Sequence, residues 1–350
     1  MQQKGGDEST NIQVGGNVQF GITYDDARQI SLDVFKANFY ELSEKAANKA
    51  LERAEEITGK FIERFLSDEQ QDKTKLEEPG VQSSLFEAQK AFAKTGDQNL
   101  EQRLLDILLA RTQATERSLR QIILDEAILI LPKLTENEVM LLSFCVSSSQ
   151  VRYSGINSVQ AFDNYINEAW VNFYPDNITT SEATHLQYCG CYTLPMLNGP
   201  VAFYSLGEYL SQGYKGLLTH GFTEVEFVKA TNGMKIDNLG DFIIKNPRNS
   251  NVFQFNALHD HDFNNEISKL KLGANEQLLK ALWNKSAMTK EQIHDLIIKI
   301  NPRAKRMIDT YNKTAVPCFQ LRPVGYAIAV SNINQKLGFN LDFMAYRPTG

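Results

Sequence analysis

Residues 25–66 read DDARQISLDVFKANFYELSEKAANKALERAEEITGKFIERFL, and the way this stretch folds decides how the first part of the chain is built. Ile30, Val34, Leu42, Ala46, Ala50, Ala54, Ile57, Phe61 and Phe65 recur mostly at spacings of three, four or eight, with Glu44, Lys45, Lys49, Glu52 and Arg53 on other faces. That is the pattern of an amphipathic helix. Thr23 followed by Asp26 marks its start, and Asp25 and Asp26 suit the positive end of the helix dipole. Unbroken, the helix would run about 60 Å at roughly 1.5 Å per residue, more than a compact domain covers. The small side chains Ala46, Ala47, Ala50 and Ala54 admit another helix at close range. The expectation is a rod that meets a copy of itself in a coiled-coil-like contact through Ala46, Ala50, Ala54, Ile57 and Phe61. The competing reading breaks the helix near Asn38 and folds it back as a hairpin within one chain.

Working outward toward the N-terminus, residues 1–24 form an extended, Gly-rich segment. Asn11 to Ile22 alternates apolar and polar residues on both sides of Gly15-Gly16-Asn17, which predicts a short β-hairpin or strand with Ile12, Val14, Val18, Phe20 and Ile22 on its apolar face. A lone two-stranded pair is marginal in water, so this face needs cover, from its own chain or from other copies.

On the other side, residues 67–80 (SDEQQDKTKLEEPG) read as a solvated linker and a domain boundary. Residues 81–350 read as a multi-helical body, with a division into two subdomains near 150–200. Ser or Thr followed three residues later by Glu or Gln recurs at Ser84/Glu87, Thr135/Glu138, Thr179/Glu182, Ser205/Glu208, Thr223/Glu226 and Thr289/Gln292, each a capping box at a helix start. The longest of these helices is expected from Asn99 to Leu131, stopped by Pro132, and Asn301-Pro302 opens another. The chain closes as a small strand-helix-strand unit: Phe319 to Leu321, a helix from Pro323 to about Lys336 ended by Gly338, and a strand through Phe339, Leu341 and Phe343. The fold class is therefore mainly α.

With 350 residues, 42% hydrophobic, the chain can bury several helical layers. A formal net charge of -6 argues against a general grip on nucleic acid or anionic lipid, leaving room only for a local basic patch. No run reaches the roughly 18 apolar residues of a membrane span, and Met1 to Phe20 lacks a signal-peptide core, so a cytoplasmic, soluble protein is expected. Cys145, Cys189, Cys191 and Cys318 are too few and too irregular for a disulfide framework and read as thiols.

Three constellations carry chemical interest. His259-Asp260-His261-Asp262 offers two imidazoles and two carboxylates to a divalent metal, although neighbours on an extended segment point to opposite sides and further ligands, such as His220 or His294, would have to be recruited. A solvated polar loop competes with that metal site. His185 and Cys189 would share one helix face at i and i+4, with Cys191 pointing away, which suits partly buried thiols and, more remotely, a Cys nucleophile with a His base. Arg303, Lys305 and Arg306, with Lys245 and Arg248, could form a small basic patch, against the plainer reading of a solvated helix face. Gly15-Gly16 lacks the spacing of any phosphate-binding loop, and nothing else indicates a cofactor.

Two segments carry a resemblance. Asn11-Ile12-Gln13-x-Gly15-Gly16-Asn17-Val18, then Tyr24-x-x-Ala27-Arg28-x-Ile30, Val34-Phe35-Lys36-x-Asn38-Phe39 and Ala50-x-x-Arg53-Ala54-Glu55-Glu56-Ile57-Thr58, resemble an N-terminal module of uncharacterised bacterial proteins, several of them associated with anti-phage defence. Leu321-Arg322-Pro323-Val324-Gly325-Tyr326-Ala327-Ile328-Ala329 resembles the C-terminal element of some of that group, with Arg322 where members more often carry Thr. The resemblance implies a bacterial origin and a defence context and transfers no catalytic residue.

The first functional expectation is a non-enzymatic homo-oligomer, an assembly or sensor protein whose partners are itself and a phage or host protein. The alternatives are a metal-dependent hydrolase or nuclease using His259, Asp260, His261 and Asp262, and a nucleic-acid-binding regulator using the C-terminal unit with Arg303, Lys305 and Arg306.

Overall fold

The computed structural model describes residues 23–38, 44–68, 72–149, 156–175, 178–193, 205–313 and 320–344. The chain is mainly α-helical and divides into two compact units, Met1–Pro132 and Lys133–Gly350. Among the described residues, no helix is long and apolar enough to cross a membrane.

The first unit holds α1 (Tyr24–Asn38), α2 (Glu44–Ser67), α3 (Pro79–Thr95), α4 (Gln98–Thr112) and α5 (Leu119–Ile130). Two helices replace the single rod expected over 25–66, and α1 lies against α2, so the hairpin alternative is the one adopted. The reason lies in the apolar stripe itself. Ala50, Ala54, Ile57, Phe61 and Phe65 are all buried, with α1, α3 and α4 packed against α2. Leaving a large apolar side chain in water instead would forgo about 1.5–3 kcal/mol each. The alanines do admit a close neighbour, but from within the chain: Ala50 and Ala54 share a cluster with Phe35 of α1 and Ala93 of α3. Thr58 is also buried there, its hydroxyl donating to the Ala54 carbonyl at 2.6 Å and accepting from Gln89 Nε2 at 2.7 Å, which satisfies polar groups that burial would otherwise penalise.

The described residues of the 67–80 stretch, 67–68 and 72–80, belong to this unit and do not mark a boundary. Asp72 caps a 3-10 turn, Lys73–Glu77, whose Leu76 is buried, and Pro79 opens α3. The chain changes unit after Pro132 instead. Ser84, expected as a cap, sits one turn inside α3, where its hydroxyl donates to Asp125 Oδ1 at 2.7 Å; the same oxygen accepts from the buried Arg111 Nε at 2.7 Å. The helix expected from Asn99 to Leu131 is likewise two: α4 ends at Thr112, Arg117 takes a positive φ of 57°, and Ser118 caps α5 through the Gln121 amide.

The second unit holds α6 (Glu136–Ser149), α7 (Val159–Tyr165), which continues through a π turn (Ile166–Trp170) into α8 (Val171–Phe173), and α9 (Thr180–Tyr188) leading to β1 (Tyr192–Thr193). Then come α10 (Leu206–Tyr214), α11 (Glu224–Ala230), β2 (Ile243–Asn246), β3 (Asn249–Phe255), α12 (Asp260–Leu270), α13 (Asn275–Ser286), α14 (Lys290–Ile300), α15 (Ala304–Lys313), β4 (Gln320–Leu321) and α16 (Pro323–Leu337). α16 packs along α6, where buried Asn332 donates to Ser143 Oγ at 2.8 Å. A second core of Phe222, Phe227, Phe242, Phe255, Phe263 and Trp283 gathers the β2–β3 hairpin against α11, α12 and α13.

The C-terminal strand-helix-strand unit is not formed as expected. β4 pairs antiparallel with β1, Tyr192 opposite Leu321, and residues 339–342 are no strand. Asn334 of α16 occupies the backbone of Leu341 through both its amide atoms, at 2.9 and 3.2 Å, in place of a strand partner.

Candidate functional site

The apolar face expected at Ile12, Val14, Val18, Phe20 and Ile22 lies outside the described residues. Of the helical positions assigned to a self-contact, Ala46 is exposed, whereas Ala50, Ala54, Ile57 and Phe61 are covered by the chain's own helices and present no surface to a copy. Among the described residues, an uncovered apolar strip lies elsewhere, on α5. Leu119, Ile122 and Leu129 are 66%, 57% and 44% exposed, while Ile123, Leu124, Ala127 and Ile128 of the same helix are core. With Glu126 between them these positions follow a spacing of three, four and three. Apolar residues stand on both faces of α5, so only the structure separates those in the core from those left uncovered.

His259, Asp260, His261 and Asp262 do not converge. The segment starts α12, where these residues take separate partners around the helix N-terminus. Asp262 Oδ2 accepts from the His259 amide at 3.3 Å, and His261 Nε2 faces Asn265 Nδ2 at 3.0 Å. Asp260 Oδ1 accepts from Lys215 Nζ at 2.8 Å and from the Trp283 indole. Burial opposes ionisation of Asp260, but those two donors outweigh it and hold its carboxyl below the usual range. Among the described residues, no group of three or more His, Cys, Asp or Glu side chains is arranged to hold a metal ion. Of the residues read as a basic patch, Arg303, Lys305 and Arg306 are exposed, Arg248 forms a two-pronged pair with Asp163 at 2.6 and 3.1 Å, and Lys245 lies over the Phe253 ring.

His185 and Cys189 do meet, and a third residue joins them. They lie one turn apart at the end of α9, with Cys189 Sγ 3.5 Å from His185 Nε2. The other ring nitrogen, Nδ1, is 2.7 Å from Oε1 of Glu138 on α6, a side chain only 1% exposed. The second oxygen of Glu138 accepts from the Thr135 amide at 2.7 Å, closing the capping box that starts α6. Glu138 had a visible structural role in the sequence and no visible link to His185, 47 residues away. Burial pushes the Cys189 thiol up, helped by the charge of Glu138 and countered by Lys133. Cys145 and Cys191, more deeply buried, are pushed up to about 12, and all three are free thiols. Gly190, in the left-handed region at φ 70°, turns the chain out of α9 so that the Cys191 amide bonds back to the Leu186 carbonyl at 3.0 Å.

One protein-family model, whose description carries no activity, matches residues 21–346, most of the chain, so the chain belongs to that family. No curated protein and no solved structure matches it.

Proposed function

We propose that the protein is a homo-oligomeric assembly or sensor protein that works by recognition and not by turnover, in a bacterial setting of defence against phage. The observation that carries this reading is the uncovered strip of Leu119, Ile122 and Leu129 on α5. The occupant is a second copy of the chain. Two α5 helices crossing antiparallel bring Leu119 beside the Leu129 of the copy at both ends of the contact, with Ile122 lying against the aliphatic stem of the copy's Glu126, the self-complementarity that a two-fold contact requires. The apolar residues between Ile12 and Ile22 would supply a further self-association element, since a short strand pair is marginal by itself. The resemblance of the terminal motifs supports the defence setting, in which the second unit would meet a phage or host protein.

Size-exclusion chromatography with light scattering tests this on the full chain at micromolar concentration. The expected result is a mass above that of one chain, falling to one chain in a Leu119→Ser, Ile122→Glu double variant. A single-chain mass for the unaltered protein, or an assembly that survives both that variant and deletion of residues 1–22, overturns the reading.

A further inference from the structure

A different part of the molecule carries chemistry that does not depend on assembly. Glu138, His185 and Cys189 stand in the order of orienting carboxylate, base and nucleophile, joined at 2.7 and 3.5 Å. The carboxylate is fixed, because its second oxygen is bound by the Thr135 amide. The ring and the thiol are fixed relative to each other, because they lie one turn apart on α9.

We propose that Cys189 is an acyl-accepting thiol, a site of covalent S-acylation by small thioesters, with His185 moving the proton and Glu138 holding the ring. As the Cys189 sulfur bonds to the thioester carbonyl carbon, its proton passes to His185 Nε2. The bond from that carbon to the donor sulfur then breaks, and His185 returns the proton to the departing thiol. One thioester replaces another, with no oxidant, reductant or water consumed. Glu138 touches neither sulfur and is a positioning residue.

Two observations select this chemistry. Cys189 closes the negative end of α9, and burial together with Glu138 keeps its thiol protonated at rest. Peroxides and other reagents that need a standing thiolate are therefore disfavoured, whereas exchange with proton removal by an adjacent base proceeds. The amides of Cys189, Gly190 and Cys191 all bond to carbonyls of α9, so none is free to serve an oxyanion. Entry and loss of the acyl group both proceed without that stabilisation, and because water is a far weaker nucleophile toward a thioester than a thiol is, the acyl group stays on sulfur, which makes this a modification site and not a turnover site. Cys189 is itself only 8% exposed, so a thioester reaches its sulfur from the side of Tyr188, which is 88% exposed, and of Gly190, where an added Cβ would meet nothing within 4 Å.

The test incubates the full-length protein with S-acetyl-N-acetylcysteamine near neutral pH and maps acetylation by peptide mass spectrometry. Acetyl is expected on Cys189, reversible by hydroxylamine, with none on Cys145 or Cys191. His185→Gln should slow labelling by about tenfold or more, and Cys189→Ser should abolish it, both with a native circular dichroism spectrum. Glu138→Gln should shift the pH profile of labelling, which packing damage alone would not do. Absence of label at Cys189, equal labelling of the His185→Gln variant, or a matching rate at Cys145, Cys191 or Cys318 overturns the proposal.

Discussion

Truncating Phe61 to alanine separates the two ways of covering the stripe on α2. The ring is fully buried and packs 6.1 Å from the ring of Phe65, within a unit where α1, α3 and α4 surround α2. An aromatic side chain buries about 150–250 Å², worth roughly 4–6 kcal/mol at about 25 cal/mol per Å². Alanine keeps part of that, and the cavity left behind adds to the loss, giving an expected destabilisation of about 3–5 kcal/mol. Against a whole-domain stability of about 5–15 kcal/mol this is severe. The assay is thermal unfolding at two protein concentrations about fiftyfold apart, read together with the mass by light scattering. Because the cover comes from the same chain, the loss of stability should be the same at both concentrations and the mass unchanged. A variant whose protomer unfolds as before, but whose assembly dissociates, would refute the reasoning and return Phe61 to an interface.

Asp106 of α4 pairs with Arg64 at 3.1 Å, yet burial pushes its carboxyl up to about 6, against the pull of the guanidinium. The folded state then holds a proton that the unfolded state has released, so stability falls as pH rises from about 4 to about 6. Asp106→Asn should flatten that slope and stabilise the first unit at pH 7 by about 1 kcal/mol, after discounting for solvent screening; destabilisation of similar size would show that the ion pair dominates. In the second unit the dependence is reversed. His294 Nε2 accepts from the Gly207 amide at 3.1 Å, and burial, with Lys290 adding to it, lowers the pKa of the ring. The unfolded state binds the proton first, so this contribution is intact above the ordinary histidine range and is lost as pH falls through it; acid unfolding curves of His294→Gln should lose that component. Gly207 itself admits no side chain, since a Cβ there would stand 2.8 Å from the Lys290 carbonyl oxygen, and Gly207→Ala should lower the melting temperature by several degrees, on the order of 1–3 kcal/mol.

Local signals were legible and long-range ones were not. Thr135/Glu138, Thr179/Glu182, Ser205/Glu208, Thr223/Glu226 and Thr289/Gln292 all form the reciprocal caps their spacing predicts, because a cap needs only residues within one turn of each other. Thr23 and Asp26 do the same at the start of α1. Gly338 takes the left-handed conformation that ends α16, as its position predicts. Ser84 fails because Pro79 had already opened the helix one turn earlier.

What escaped depends on partners distant in sequence. The stripe from Ala50 to Phe65 is the same whether α3 or a second copy covers it, and the choice rests on α1 and α3 packing against it. The hairpin of β2 and β3 pairs Ile243 with Phe255 across a bulge beside Asn246, whose side-chain oxygen accepts from the amides of Arg248 and Asn249. The site around Cys189 was half legible, since the i and i+4 spacing brings His185 to the thiol, while Glu138 arrives from α6.

Hydrogen–deuterium exchange of the full chain, followed by peptide mass spectrometry across a concentration series, locates the self-contact directly. Peptides covering α5 should exchange more slowly at concentrations where light scattering reports the assembly, and α2 should exchange alike throughout, since its apolar face is already closed within the protomer. Unchanged exchange in α5 together with new protection on α2 would contradict the account.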